Sequence, residues 1–351
     1  MPEELYLRDY NPRPALVLPE HHVTRPRFPL IEAHTHLGVS FGQIEPGVPV
    51  EELLALMDEL DVRAVVDADG GWGEHILQQR LDYYKAAAPE RFVCLGGVAW
   101  EAWPEHPHDF GEWAATRLEA QVRRGAQGLK VWKGLGLRLR DPAGDLVPVD
   151  DARLDPLWAR AGELNAPVLI HVADPLAFFQ PLDRYNERYE ELHANPDWHF
   201  FGPEFPPFEA IIEGLADLVA RHPQTTFIGA HVGCYAENLA WVGALMDRCP
   251  NFYGDISARI AELGRQPYTA RRFFLEHADR ILFGTDMIPS REIYQVHFRF
   301  LETWDEYMPY QADESHPPGQ GRWRINGLGL PDEVLRQVYA GNAARLFGIE
   351  M

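Results

Sequence analysis

Glu32, His34 and His36 recur at every second position of LIEAHTHLG. An extended backbone therefore projects all three side chains to one face and leaves Ala33 and Thr35 on the other. Two neutral imidazoles so placed can share a divalent cation, zinc among the best suited, with little backbone adjustment. Taken alone, the pair equally describes two surface or hydrogen-bonded histidines. The other strand ends shift that balance, because His171 closes VLIHV, His231 closes FIGAH and Asp286 closes ILFGTD. A polar group left unpaired at the end of an apolar strand costs stability. Convergence on a cation removes that cost for all of them at once.

The elements that must bring these residues together alternate strand and helix. Strands are expected at 28–34, 62–68, 91–99, 126–132, 166–172, 225–231, 251–257 and 280–286. Amphipathic helical patterns follow them, such as VEELLALMDEL at 50–60 and Phe208 to Arg221. Eight unbroken alternations predict an α/β fold, a closed (β/α)8 TIM barrel with elaborated loops, since closure leaves no sheet edge exposed. The chain is expected to be a single domain over 1–351, with the barrel core at 28–348. Insertions at 173–207 and 309–329 leave the carboxyl ends of strands, where barrels of this kind carry chemistry. The first is rich in Phe, Tyr and Trp, and the second in Pro and Gly.

With GTD at 284–286 and GNAARLFG at 341–348, these residues make the chain resemble the amidohydrolase superfamily. The likeness runs from Leu30 to Leu346 and favours the amidohydrolase-related branch, which includes decarboxylases of aromatic and aminocarboxymuconate-semialdehyde acids. The resemblance implies that His34, His36, His171 and Asp286 hold a divalent metal while His231 acts beside it. It also permits a second metal bridged by a carboxylated Lys130. The preferred expectation is one metal, zinc before manganese, with the Lys130 ammonium pairing with Glu32, Asp286 or substrate.

A metal-activated water, with His231 and Asp286 as proton carriers, would hydrolyse a small carboxylate-bearing or aromatic substrate, and this is the first functional expectation. The alternative is non-oxidative decarboxylation of an aromatic or unsaturated acid at the same centre. A third reading is a non-catalytic ligand-binding barrel. Lys130, Trp132, Arg259 and Arg291 are the candidate substrate contacts. Asp255, with Ser257, and Glu32 are candidates to orient the metal ligands. His193, His199 and His316 lie in insertions, where a lone histidine is ordinarily solvated.

Composition excludes other classes. The 351 residues carry 32 Lys+Arg against 53 Asp+Glu, a net charge of −21 that argues against a nucleic-acid phosphate backbone as partner. Hydrophobic residues at 46% and charged residues at 24% suit a large folded core. Three Cys without CxxC spacing indicate neither a disulfide framework nor a thiolate zinc site. Without an apolar run of spanning length, no membrane partner is expected, and the cytoplasm is the expected location. The resemblance adds the expectation of a homodimer.

Overall fold

The computed structural model describes residues 4–10, 12–40, 43–44, 47–311 and 319–351. His316 and part of the second insertion lie outside them. Eight parallel strands follow the predicted order: β1 (Leu30–Thr35), β2 (Val62–Asp67), β3 (Phe92–Cys94), β4 (Leu129–Val131), β5 (Val168–Ile170), β6 (Phe227–Gly229), β7 (Phe252–Asp255) and β8 (Ile281–Leu282). Each is shorter than the run that announced it. Gly96 N–H, just after β3, donates to Gly128 O, just before β4, at 2.9 Å, and Ala33 N–H donates to Phe283 O at 2.9 Å. These bonds join the two halves and close the barrel.

Helices α1 (Val50–Glu59), α2 (Glu74–Arg80), α3 (Phe110–Arg124), α4 (Asp155–Glu163), α5 (Phe208–Arg221), α6 (Leu239–Arg248), α7 (Pro267–Glu276) and α8 (Arg291–Glu302) follow the eight strands in turn. Their apolar residues repeat every three or four positions: α1 buries Val50, Leu53 and Met57, and α5 buries Ile211, Ile212, Leu215, Leu218 and Val219. Such a stripe has one stable solution, which is to pack on the strands. Each fully buried Leu, Ile or Val contributes about 1.5–3 kcal/mol relative to exposure. Ser290 fixes the start of α8, its hydroxyl accepting from Ile293 N–H at 3.3 Å. The C-terminal helical stretch is divided into Asp332–Arg336 and Asn342–Phe347 by a wide turn at Gln337–Gly341.

Two buried layers result. Ile31, Ala33, Ala64, Val66, Val93, Leu169, Ile228 and Leu282 form one cluster with Ala340, Ala343 and Phe347, whereas the alternate strand residues pack against the helices. In β1 this alternation slips. Glu32 aligns with Val65 but Thr35 with Asp67, so three steps on β1 match two on β2. A bulge of this kind re-aims side chains beside a site. It corrects the expectation that Glu32, His34 and His36 form one regular row. No helix among the described residues is long and apolar enough to cross a membrane.

Candidate metal centre

The β1 bulge delivers His34 and His36 to Asp286, which leaves β8 with a positive φ of 62°. His34 Nε2 lies 3.0 Å from Asp286 Oδ1, and His36 Nε2 lies 3.1 Å from the same oxygen. The backbone locks the arrangement, Asp286 N–H donating to His34 O at 2.8 Å. His34, His36 and Asp286 form one group able to hold a metal ion, and His34, His231 and Asp255 form another that shares His34.

The opposite ring nitrogens show which group leaves lone pairs free. His34 Nδ1 lies 2.9 Å from Asp255 Oδ2, and His36 Nδ1 lies 2.7 Å from Asp69 Oδ1. His231 Nδ1 lies 2.9 Å from Ser257 O, which can only accept. These partners require N–H at each Nδ1, so each ring, when neutral, presents an Nε2 lone pair. Two such lone pairs then converge on one carboxylate oxygen, and a proton on a ring or a shared metal ion relieves the repulsion among them. Lys130 also brings positive charge there, its Nζ 2.9 Å from His34 Nε2. The donor set of nitrogens and one carboxylate oxygen fits a divalent ion such as zinc.

Electrostatics follow the geometry. Burial pushes the Asp286 carboxyl up, but His34 and His36 overcome it and hold the group well below its ordinary range. Burial likewise opposes ionisation of Asp255, yet His34 holds it low. Burial lowers His36, while its bonds to Asp286 and Asp69 outweigh that and raise it to about 9. Burial, reinforced by His171, pushes His231 well below the usual histidine range. The Lys130 ammonium is lowered by burial, against the attraction of Asp286.

His171 is buried at the exit of β5 but is not drawn into either group. Its Nε2 lies 3.3 Å from Asp174 Oδ1 without making a hydrogen bond, and its ring meets that of His231 edge-on at 4.3 Å. His231 in turn sets Nε2 3.7 Å from Asp286 Oδ2. Asp255, besides its contact with His34, accepts through Oδ1 from His231 N–H at 3.1 Å and Ser257 N–H at 3.0 Å. Glu32 does not pair with Lys130. Its carboxylate accepts from His34 N–H at 3.2 Å and Thr285 N–H at 2.9 Å, and burial raises it to about 8.

Among the expected substrate contacts, Lys130 reaches the centre and Trp132 stands at the rim, 37% exposed and tilted against Trp72 at 4.7 Å. Arg259 is buried, donates to Ala258 O at 2.8 Å and makes no ion pair among the described residues. Arg291 is not brought to the site: it forms a two-pronged exposed pair with Glu59 at 2.7 and 2.5 Å. In the aromatic insertion, Phe178, Phe179 and Phe200 pack on the core with each other and Trp198, while Tyr185 and Phe201 are exposed.

Sequence reasoning missed Asp69, which accepts from His36, from Leu37 and Gly38 N–H at 3.1 and 2.9 Å, and from Arg80 at 3.0 Å. The repeat of acids in VVDADGG was the available signal. Asp174, ion-paired with Lys133, and Trp72 were missed as well; both lie beyond strand ends, where no periodicity marks them.

The family model described as amidohydrolase matches residues 31–349. The chain belongs to the amidohydrolase family. Membership and the converging donors together make it a metal-dependent enzyme with a single divalent-metal site. No curated protein sequence matches the chain. Among solved structures it is similar to 2,6-dihydroxybenzoate decarboxylase from Rhizobium, at 17% identity and TM-score 0.55 over 91% of this chain and 98% of that one. A candidate amidohydrolase from Staphylococcus aureus aligns at 17% identity and TM-score 0.55, covering 92% of this chain and 100% of the other. Dihydroxybenzoic acid decarboxylase from Polaromonas, solved with manganese and 2-nitroresorcinol, aligns at 18% identity and TM-score 0.53 over 91% and 97%. At such identities the likeness establishes the family's barrel.

Proposed function

We propose that the chain is a metal-dependent, non-oxidative decarboxylase of a small aromatic or unsaturated acid. The observation that carries this reading is the set of groups around the metal triad: indoles of Trp72 and Trp132 at the rim, with Lys130 inside and buried Arg259 nearby. An aromatic wall and unpaired cations suit a planar anion. The named decarboxylases among the similar structures support the same order of preference and move hydrolysis to second place.

In this reading His34, His36 and Asp286 hold the ion, with His171 completing the set through its unpartnered Nε2. A bound ion supplies Lewis-acid attraction for the substrate carboxylate or a neighbouring hydroxyl, zinc suiting the donors and manganese being the alternative. Asp69 and Asp255 hold the rings of His36 and His34 in the tautomer that faces the ion. Arg259 receives the acid end of the substrate. His231 and Asp286, 3.7 Å apart, relay a proton from solvent to the substrate. That proton forms a C–H bond at the ring carbon, the bond to the carboxylate breaks, its electron pair restores the ring, and carbon dioxide leaves.

Hydrolysis is retained as the second reading because Lys130 Nζ lies 2.9 Å from His34 Nε2, where a carboxylated lysine would reach a second ion. The test is to measure metal stoichiometry and intact mass. The protein is then incubated with 2,6-dihydroxybenzoate and a panel of aromatic acids, amides and lactones, while carbon dioxide and new acid are followed separately. Carbon dioxide release with one metal per chain is expected. Two metals, a carboxylated Lys130 and release of acid without carbon dioxide would replace decarboxylation by hydrolysis.

A further inference from the structure

The chain leaves β6 in an unusual way. His231 (φ 58°, ψ 46°), Val232 (60°, 47°), Gly233 (φ 65°) and Cys234 (60°, 17°) are four consecutive residues in the left-handed region. Together they make one left-handed helical turn, closed by Cys234 N–H donating to Ala230 O at 2.8 Å. Each non-glycine residue in this conformation costs about 1–2 kcal/mol. A β-branched residue such as Val232 is a strong exception there. Conformations of this cost persist only where surrounding structure over-determines them, and they cluster at functional sites.

Three features impose the turn. The first is space: a Cβ on Gly229 would stand 2.7 Å from both Gly233 Cα and the Phe252 ring, and one on Gly233 would stand 3.1 Å from that ring. The turn is thus pressed flat onto β6 and β7 where only glycine fits. The second is the bond from His231 N–H to Asp255 Oδ1 at 3.1 Å, which ties the turn to the carboxylate orienting His34. The third is the Cys234 thiol. Its Sγ accepts from Val172 N–H at 3.4 Å and donates to Ala230 O at 3.4 Å. Val172 directly follows His171, so this buried sulfur joins the exits of β5 and β6, whose imidazoles meet at 4.3 Å. Burial pushes the thiol up to about 11, so it remains an S–H able to donate.

We propose that the left-handed turn at 231–234, clipped by Cys234 Sγ, aims the His231 ring at Asp286 and fixes its contact with His171. Cys234 is then a positioning residue, touching no reacting atom. The proposal rests on the reading of His231 as a proton carrier. A right-handed continuation from Ala230 would swing the imidazole away from Asp286, and a free exit from β5 would loosen its contact with His171.

The test uses the metal-loaded full chain labelled with 15N-histidine. Ring signals are assigned through H171N and H231N variants, and kcat and KM are measured for whichever aromatic acid is turned over. In Cys234→Ala, the His171 and His231 ring signals are expected to move while those of His36 stay, with metal content unchanged. The kcat is expected to fall about ten- to a hundredfold at nearly constant KM, the signature of a misplaced group. Cys234→Ser, which retains a donor and an acceptor, is expected to restore both signals and most of kcat. Unmoved rings in Cys234→Ala, or equal losses in the Ala and Ser variants, would overturn the proposal. A crystal structure of the unmodified chain decides it without any variant: negative φ at 231–234 would sink it. Full turnover by His231→Ala would instead overturn the parent reading, so the two failures are distinguishable.

Discussion

The barrel mouth and the first insertion both bury charge, but they resolve it differently. In the insertion, Arg188 is 1% exposed and its guanidinium is paired with Glu191 at 2.7 Å and with Glu262, while its face lies over Trp323 at 5.2 Å. Charge there closes on charge, and the network joins the insertion to the short helix Ile260–Arg265. At the mouth, metal-ligand atoms converge: two ring Nε2 atoms meet one oxygen of Asp286, and their outer nitrogens are already committed to Asp69 and Asp255. A buried ionic network that is internally paired reads as structure. One whose ligand atoms converge on a single point reads as a place for a metal ion.

The strongest way to break this contrast is His36→Ala. Loss of a direct donor is expected to weaken metal binding by more than the 10–100-fold typical of outer partners and to abolish turnover, with the melting of the metal-free chain little changed. Metal analysis after dialysis checks it, and retained stoichiometric metal would remove His36 from the centre. The opposite behaviour is expected of Arg188→Ala. Stranding Glu262 and Glu191 should cost about 3–5 kcal/mol of folding stability, seen in the denaturant midpoint, while the folded fraction still binds one metal.

A smaller effect is expected for Asp69→Asn, whose amide can no longer serve both His36 and Arg80 as an ionised acceptor. Metal affinity should fall about 10–100-fold without loss of fold, measured by competition with a chelator. An unchanged affinity would mean that His36 is oriented by its backbone alone.

The pH dependence sharpens the same comparison. Burial, only partly offset by Arg188, raises Glu191 to about 7. Between its unfolded value near 4.5 and that value, the folded chain binds more protons than the unfolded one. Stability from this group is therefore expected to fall as pH rises through that window and then level off. Glu191→Gln should flatten this part of the profile in pH-dependent denaturation. The least effect is expected from Arg291→Ala, since an exposed pair with Glu59 is screened by water and salt. Melting temperature and KM should both stay as they were; a raised KM would return Arg291 to the substrate site.

Much of the fold was legible in local pattern. Eight apolar runs announced eight strands because a barrel strand must be apolar on both faces, and α5 begins and ends where its amphipathic pattern does. The HxH pair and Asp286 were legible because polar residues at strand ends need partners. Asp69 was within reach, since Asp67 and Asp69 repeat at the end of β2. Trp72, Asp174 and the pairing of Arg291 were not, because they depend on loop paths that no periodicity records.

The order of residue types along this chain was enough to determine a (β/α)8 barrel with a metal-binding end. Apolar spacing is a short-range signal that each segment carries by itself. Tertiary structure alone decided that a bulge separates Glu32 from the histidines, that His231 sits on a left-handed turn, and that Lys130 meets His34 rather than Glu32. Those outcomes depend on which backbones press together, as Gly229 presses on Phe252 and Gly71 on the stem of Lys130. Such contacts join residues far apart in the chain, and no single segment contains them.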